Sequence, residues 1–348
     1  MTDQEVLDFE TLMKKRPHVV ILGAGASVAT IPNGDANGKK ISVMNNFFQK
    51  TNTEYLLDGI ELKTKSRNLE DIYSEIYERP ELKETCIKLE KAIYDYFSDL
   101  QIPEEPTIYD FLILSLRSKD LIATFNWDPL LQQSYQRCRR ITTDLPHIAY
   151  LHGNVAIGLC MKDKVFGDIG KRCPYCNNYF SPLQLLYPIR KKDYNSNLFI
   201  KDKWNVLEQA LKYALIITIF GYGAPPSDIE AIRLLKNAWG NPDDRPYEQT
   251  EIIDIKKKNE LEETWKPFIH SHHYGVHTSF FESTIASFPR RTCECHYDEK
   301  LSAQFLDNEQ GFKNGMSWED IENYLDPILE DEYKNKDKTL TDFWLREL

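Results

Sequence analysis

The chain of 348 residues is 41% hydrophobic and 28% charged, the balance of an ordinary globular protein with one large α/β domain and a satellite, or two modest domains. Its formal net charge of −11 argues against broad, phosphate-driven nucleic-acid binding, which needs a basic face. No apolar run approaches membrane-spanning length and the acidic opening MTDQEVLDFE has no secretory apolar segment, so a cytoplasmic protein without membrane contact is expected. Seven cysteines, an odd number in a large chain, fit free thiols or metal ligands better than disulfides.

Residues 1–16 read as a short helix ended by Pro17. Val19, Val20 and Ile21 then open an apolar, β-branched run that suits a strand buried on both faces of a parallel sheet. The run breaks into Gly23, Ala24, Gly25, Ala26 and Ser27. Small residues let the backbone approach a ligand, Ser27 suits a helix cap, and a strand feeding such a loop presents N–H groups to a pyrophosphate. The full dinucleotide fingerprint has a third glycine where Val28 stands, so the loop alone also fits a tight turn without a ligand. Residues 30–40 are rich in turn formers (Pro32, Asn33, Gly34, Asp35, Asn37, Gly38) and predict an exposed, mobile lid, with Asp35 among the ligand-binding positions. A helical insertion follows over about 40–118, with a capped, acidic start at Asn68 and amphipathic spacing over 81–99 and 107–117.

Leu121 to Thr124 form the second buried-strand pattern, with Asn126 and Asp128 at its carboxyl end and a helix after Pro129. The third, HIAYLHGNVAI, places His152 at its end, before Gly153. Open α/β sheets bind ligands along this carboxyl edge, which makes polar residues there candidates for chemistry. A lone histidine is more often structural; company from two other polar strand ends raises this one. Residues 158–200 interrupt the rhythm with a C-x-x-C pair, Cys173 and Cys176, and with Cys160 upstream. One pair is half of a tetrahedral zinc site, and Cys293, Cys295 and His296 could complete it only if the chain returned there. Zinc and spare thiols both stay open.

The rhythm resumes with a helix over 205–214, a buried strand from Leu215 that ends in Gly221, Tyr222 and Gly223, and a helix capped by Ser227. A further strand, Glu251 to Ile255, carries Asp254 where a carboxylate accepts ribose hydroxyls, although a solvated strand end reads the same way. Beyond residue 256 the pattern is mixed and clearly helical only after Ser317. The expected fold is α/β, a Rossmann-like doubly wound parallel sheet over 17–290, with the helical insertion and a small cysteine-containing insertion at 158–200. Residues 291–348 are expected to pack on it or to bind a partner.

The order of these motifs resembles the sirtuin-like family. GAGAS follows the first strand, TFNWD stands where sirtuins have T-x-N-x-D, LHG carries its histidine, a cysteine-containing insertion comes next, and GYGAPPSD resembles the GYS-x-x-x-x-D of bacterial sirtuin-like proteins. The likeness runs over residues 17–285. IPNGD departs from the G-I-P-D-F-R loop of deacylating sirtuins, Phe125-Asn126-Trp127 from their Q-N-I, and the cysteine set from their two C-x-x-C pairs. These departures fall on the parts that accept a peptide, so the nearer resemblance is to sirtuin-like NAD hydrolases of bacterial anti-phage systems. It implies NAD+ as substrate, zinc as an optional cofactor, and control through a homo-oligomer or a regulatory partner of the same system. It implies catalytic roles for Asn126 (orienting ribose and water), Asp128 (holding the ribose or nicotinamide side) and His152 (general base). Expected ligand contacts are Gly23, Ala24, Gly25, Ala26, Ser27, Asp35, Thr124, Gly221, Tyr222 and Asp254. A protein-lysine deacylase and a non-catalytic module for NAD or ADP-ribose are the competing expectations.

Overall fold

The computed structural model describes residues 2–189, 198–225, 228–241, 244–269, 272–304, 306 and 311–335. Its centre follows from unbroken hydrophobicity: β1 (His18–Leu22) is buried over its whole length, which only a strand covered on both faces can be. Before it lies α1 (Asp3–Lys15), started by a reciprocal Thr2–Glu5 capping box. After it come α2 (Ala24–Thr30), α3 (Phe47–Thr51), α4 (Leu69–Tyr77), α5 (Lys83–Ser98) and α6 (Ile108–Leu114). Next are β2 (Leu121–Thr124), α7 (Leu130–Cys138) and β3 (His147–Tyr150). A small antiparallel sheet carries the cysteine region: β4 (Ile157–Leu159), β5 (Phe166–Asp168) and β6 (Ser181–Pro182). The chain continues through α8 (Leu198–Tyr213), β7 (Ile216–Phe220), α9 (Ile229–Trp239), β8 (Gln249–Ile253), α10 (Lys258–Trp265) and β9 (Tyr274–His277). Short helices α11 (Thr284–Ser287) and α12 (Thr292–His296) precede the long α13 (Trp318–Lys334).

The main sheet has the order β3-β2-β1-β7-β8-β9, and every neighbouring pair is parallel. The chain therefore builds outwards from β1 to β3, then returns to lay β7 on the other side of β1. This is the doubly wound, Rossmann-like order expected, and its direction reverses between β1 and β7. Register levels the strand ends, since Leu22 pairs with both Thr124 and Phe220, and these pair with Tyr150 and Ile253. Five loops thus leave one edge of the sheet side by side.

Where the order reverses, two loops touch backbone to backbone. The Gly25 N–H donates to the Gly221 carbonyl at 2.9 Å. A Cβ on Gly25 would lie 2.7 Å from the Gly221 Cα, and Gly221 itself has φ +61°, so side chains are excluded from both partners.

Three sequence expectations change. The sixth strand, β9, was not legible as one: it is four residues long, interrupted by Gly275 and half-buried at the sheet edge. Residues 30–40 are largely exposed, as expected, but the loop is fastened and not a free lid, because buried Asp35 accepts from the N–H groups of Asn37, Lys39 and Gln101. Ser27 lies inside α2, whose N-cap is Gly23. The expected Ser227 cap falls outside the described residues; Asp228 stands at that N-cap.

The C-terminal region packs on the domain. Ile321 and Leu325 of α13 join the main core, and fully buried Arg290 binds Glu332 of α13 at 2.6 Å and Asp144 at 3.0 Å. At the opposite edge from the five loops, Met13, Leu215, Ile216, Cys293 and Tyr297 form a satellite core under α1.

A polar chain crosses the sheet interior. Glu251, fully buried, accepts from Thr218 at 3.1 Å and pairs with His277 at 3.2 Å. Thr218 has one proton and gives it to Glu251, so the His18 Nε2–H donates to Thr218 at 2.7 Å and His18 Nδ1 accepts from Thr292 at 3.0 Å. Burial pushes His18 down to about 4, and His296 likewise to about 4. A neutral native His18 against an unfolded one that protonates near 6.5 means stability is lost as pH falls from about 6.5 to 4, by about 3 kcal/mol. Urea midpoints at pH 7 and pH 5 are expected to fall less in His18→Gln than in the wild type. Equal losses in both proteins would refute this source of acid sensitivity.

Candidate functional site

The levelled strand ends enclose a cavity of about 310 Å³ at the β1–β7 reversal. Its floor comes from the loops after β1 (Gly23, Ala24), β2 (Phe125 to Asp128), β3 (His152) and β7 (Gly221 to Gly223), and the helical insertion walls it with Ile41 to Asn45, Phe47, Leu69 and Phe97. Phe125 and Tyr222 stack at 4.3 Å, with the His152 ring edge-on to Phe125 at 4.9 Å. Tyr222 is held from behind by its hydroxyl, which donates to Asp228 at 2.9 Å. Among the described lining residues there is no Lys or Arg, while Glu70, Asp128 and Asp228 are carboxylates.

Asn126 is oriented without ambiguity. Its Nδ2 lies 2.9 Å from the Gly23 carbonyl, a group that can only accept, so the amide nitrogen faces that way. The same nitrogen donates to Ser27 Oγ at 2.9 Å and lies 3.2 Å from Tyr109 Oη. Both amide hydrogens are thus engaged within the protein, and Oδ1 is the atom left to a ligand. It can accept from a hydroxyl or a water, and it cannot donate.

Asp128 is buried, and its Oδ2 accepts from Ser27 at 2.7 Å while its Oδ1 accepts from the Leu130 N–H at 3.2 Å. Burial raises its carboxyl to about 6 against those two bonds. Asn154 Nδ2 ties the Asp128 carbonyl at 2.7 Å and so sets the loop after β2. Titration of Asp128 falls close to neutrality, where a buried group of this kind marks a site.

The expected residues divide. Gly23, Ala24, Asn126, Asp128, His152, Gly221 and Tyr222 meet at the cavity. Ser27 and Thr124 sit just behind it: Thr124 Oγ1 accepts from the Asn126 N–H at 3.0 Å, and Ser27 carries the bonds above. Gly25 and Ala26 do not line it. Their N–H groups go to Gly221 and Gly23, and the Gly23 N–H goes to Phe220. Three N–H groups of the proposed backbone cradle are thus taken up within the protein. Asp35 lies apart, against residues 103–107. Asp254, past the end of β8, accepts from the Lys256 N–H and does not line the cavity either. The sequence reading missed Tyr109, which the α6 capping box of Thr107 and Asp110 places behind Ser27. It also missed the wall from residues 41–47, whose apolar spacing matched any helical core.

The cysteine region completes its own cluster. Cys173 and Cys176 are joined by Cys160 and Asp163, with all four ligand atoms within 4.8 Å of one another, the span of a tetrahedral shell. Cys160 and Cys176 sulfurs are 3.3 Å apart, and Cys173 Sγ is 3.1 Å from Asp163 Oδ2. Three soft thiols and one carboxylate suit zinc. Cys293, Cys295 and His296 do not join this cluster: Cys293 is buried under α1, and His296 is bonded to Gln249 and to the Tyr247 carbonyl. An aspartate in the first C-x-x-C position concealed the set, since Cys160 and Asp163 have the spacing of such a pair. Elsewhere among the described residues, no helix is long and apolar enough to cross a membrane.

No family model matches the chain, and no curated protein matches it. Solved structures of the Sir2 family do. A Sir2 homologue in complex with NAD is 13% identical over 85% of this chain and 91% of its own, with a TM-score of 0.40. A Sir2 homologue in complex with ADP-ribose is 12% identical over 88% of this chain and 100% of its own, with a TM-score of 0.39. A sirtuin from work on substrate affinity is 16% identical over 86% of this chain and 100% of its own, with a TM-score of 0.38.

Purified protein is expected to contain about one zinc per chain by elemental analysis, and to melt at lower temperature after chelation. Cys176→Ser and Asp163→Asn should each reduce zinc content. A metal-free protein whose melting is indifferent to added zinc would show the cluster to be thiols alone.

Proposed function

We propose that the chain is a sirtuin-like NAD+ glycohydrolase that releases nicotinamide and ADP-ribose. The observation that carries this reading is Asn126, locked with its amide nitrogen inward and its carbonyl oxygen offered to the cavity. The order of the five motifs supports it, as does a cavity rich in aromatic rings and carboxylates, which suits a flat, cationic pyridinium.

The bond to be broken joins the anomeric carbon to a pyridinium nitrogen. That nitrogen takes the electron pair and leaves as neutral nicotinamide, so no acid is required on the leaving side. Asn126 Oδ1 accepts a hydrogen from a ribose hydroxyl or from water and so aims an oxygen lone pair at the anomeric carbon. His152 takes the proton that water loses on adding there, a task suited to an imidazole near neutral pH. Ionised Asp128 stabilises the positive charge that develops on the ribose. Gly23 and Ala24 are the part of the first loop that reaches the substrate.

The proposal extends to biological role. An unrestrained NAD hydrolase drains its own cell, so the enzyme is read as the toxic effector of an anti-phage system, held inactive until self-association or a regulatory partner releases it. A second reading, the protein-lysine deacylase, is favoured by one observation: the cluster of Cys160, Asp163, Cys173 and Cys176, which resembles the two C-x-x-C pairs of deacylating sirtuins with an aspartate in place of one cysteine.

The test is purified protein with NAD+, with nicotinamide and ADP-ribose followed by chromatography, with and without an acylated peptide. Release without peptide is expected, from the purified protein or, while it is still restrained, once infected-cell extract is added, and Asn126→Ala and His152→Ala should each lower it on the order of 10²-fold. Release that requires the peptide would favour the deacylase. Wild-type rates in both variants would overturn the site.

A further inference from the structure

We infer that Tyr109 is a positioning residue of this site, acting through Ser27 to keep Asp128 ionised. The inference rests on the reading of the cavity as the place of NAD+ cleavage. Tyr109 touches no part of the cavity itself.

The argument is a count of protons. An ionised Asp128 can only accept, so the single proton of Ser27 points to it, across 2.7 Å. The oxygen of Ser27 then accepts from the Tyr109 hydroxyl at 2.7 Å and from Asn126 Nδ2 at 2.9 Å, which fills its capacity. Every hydrogen has one acceptor, and the chain runs one way: Tyr109 to Ser27 to Asp128. If Asp128 takes a proton and turns it on Ser27, the Ser27 proton must turn on Tyr109. The Tyr109 proton would then have nowhere to go, because the other neighbour of its oxygen is the Asn126 amide N–H, 3.2 Å away. The phenol therefore opposes protonation of Asp128 at Oδ2, the oxygen that faces Ser27. A phenylalanine would fill the same fully buried space and remove only this opposition.

The surroundings of Asp128 leave the role to this chain. Tyr96 of α5, Tyr109 of α6 and Tyr150 of β3 sense its charge, and burial keeps all three phenols neutral. His152, Glu70 and Asp228 share the cavity with it. Of these groups only Tyr109 shares the Ser27 hydroxyl that Asp128 accepts from.

The experiment uses the full chain with Tyr109→Phe, Ser27→Ala and the double variant, measuring nicotinamide release from NAD+ between pH 4.5 and 8.5. For Tyr109→Phe, kcat is expected to fall on the order of 10-fold with KM within about 2-fold, and the acid limb to move to higher pH. The double variant should be no slower than Ser27→Ala, since the phenol acts through that serine. An unshifted acid limb with wild-type kcat, or losses that multiply in the double variant, would overturn the inference.

Melting temperature against pH gives a readout independent of turnover. An aspartate raised in the native state adds stability as pH falls through its native value. That gain should begin at higher pH in Tyr109→Phe than in the wild type and be missing from Asp128→Asn. If the wild type alone releases no nicotinamide, as an effector still awaiting its activator would not, the melting curves decide the hydrogen-bond chain: coincident onsets in wild type and Tyr109→Phe would reject it.

Discussion

The close approach of Gly25 and Gly221 is the constraint on which the rest of the site depends. A parallel sheet reverses its order only by returning the chain over a long crossover, and the two loops that meet at the reversal must then share one small space. Here they share it backbone to backbone, through a hydrogen bond that leaves no room for a Cβ. That contact sets the position of Gly23, whose carbonyl in turn orients Asn126. The Asn126 end of the cavity thus takes its geometry from main-chain atoms, which have no rotamers to lose.

Two buried carboxylates show how partners decide charge. Asp120, beside Lys119 and Arg117 and accepting from the His18 N–H, is held below the usual range although burial alone would raise it. Asp128 is as deeply buried but has only a hydroxyl and one longer N–H bond, and there burial prevails. The first aspartate lies at the amino end of β2 and holds structure. The second lies past the carboxyl end of the same strand and is left titratable. Position along one short strand separates the two tasks.

What could be read in the sequence was whatever local pattern decides. Unbroken apolar runs marked β1, β2 and β7, and polar residues after β2 and β3 marked Asn126, Asp128 and His152. What could not be read depends on residues brought together from afar. Tyr109 looked like any core aromatic on an amphipathic helix, and only the fold places its hydroxyl on Ser27, 82 positions away in sequence. Asp35 looked like a loop aspartate, yet its carboxylate gathers three backbone N–H groups and closes the loop it was expected to leave open. Asp163 was hidden by its residue type and β9 by its brevity.

Asp110, next to Tyr109, gives the helical insertion an unequal character. Its fully buried carboxylate caps α6 through Thr107 and binds Ser134 and Arg137 of α7, so one side chain locks the last helix of the insertion to the first helix after β2. The guanidinium of Arg137 also lies under the Trp318 ring of α13. The insertion therefore has two parts. Its outer helices, α3 to α5, wall the cavity through Phe47, Leu69 and Phe97. Its last helix belongs to the frame, tied by Asp110 to α7, which directly follows the loop that carries Asn126 and Asp128.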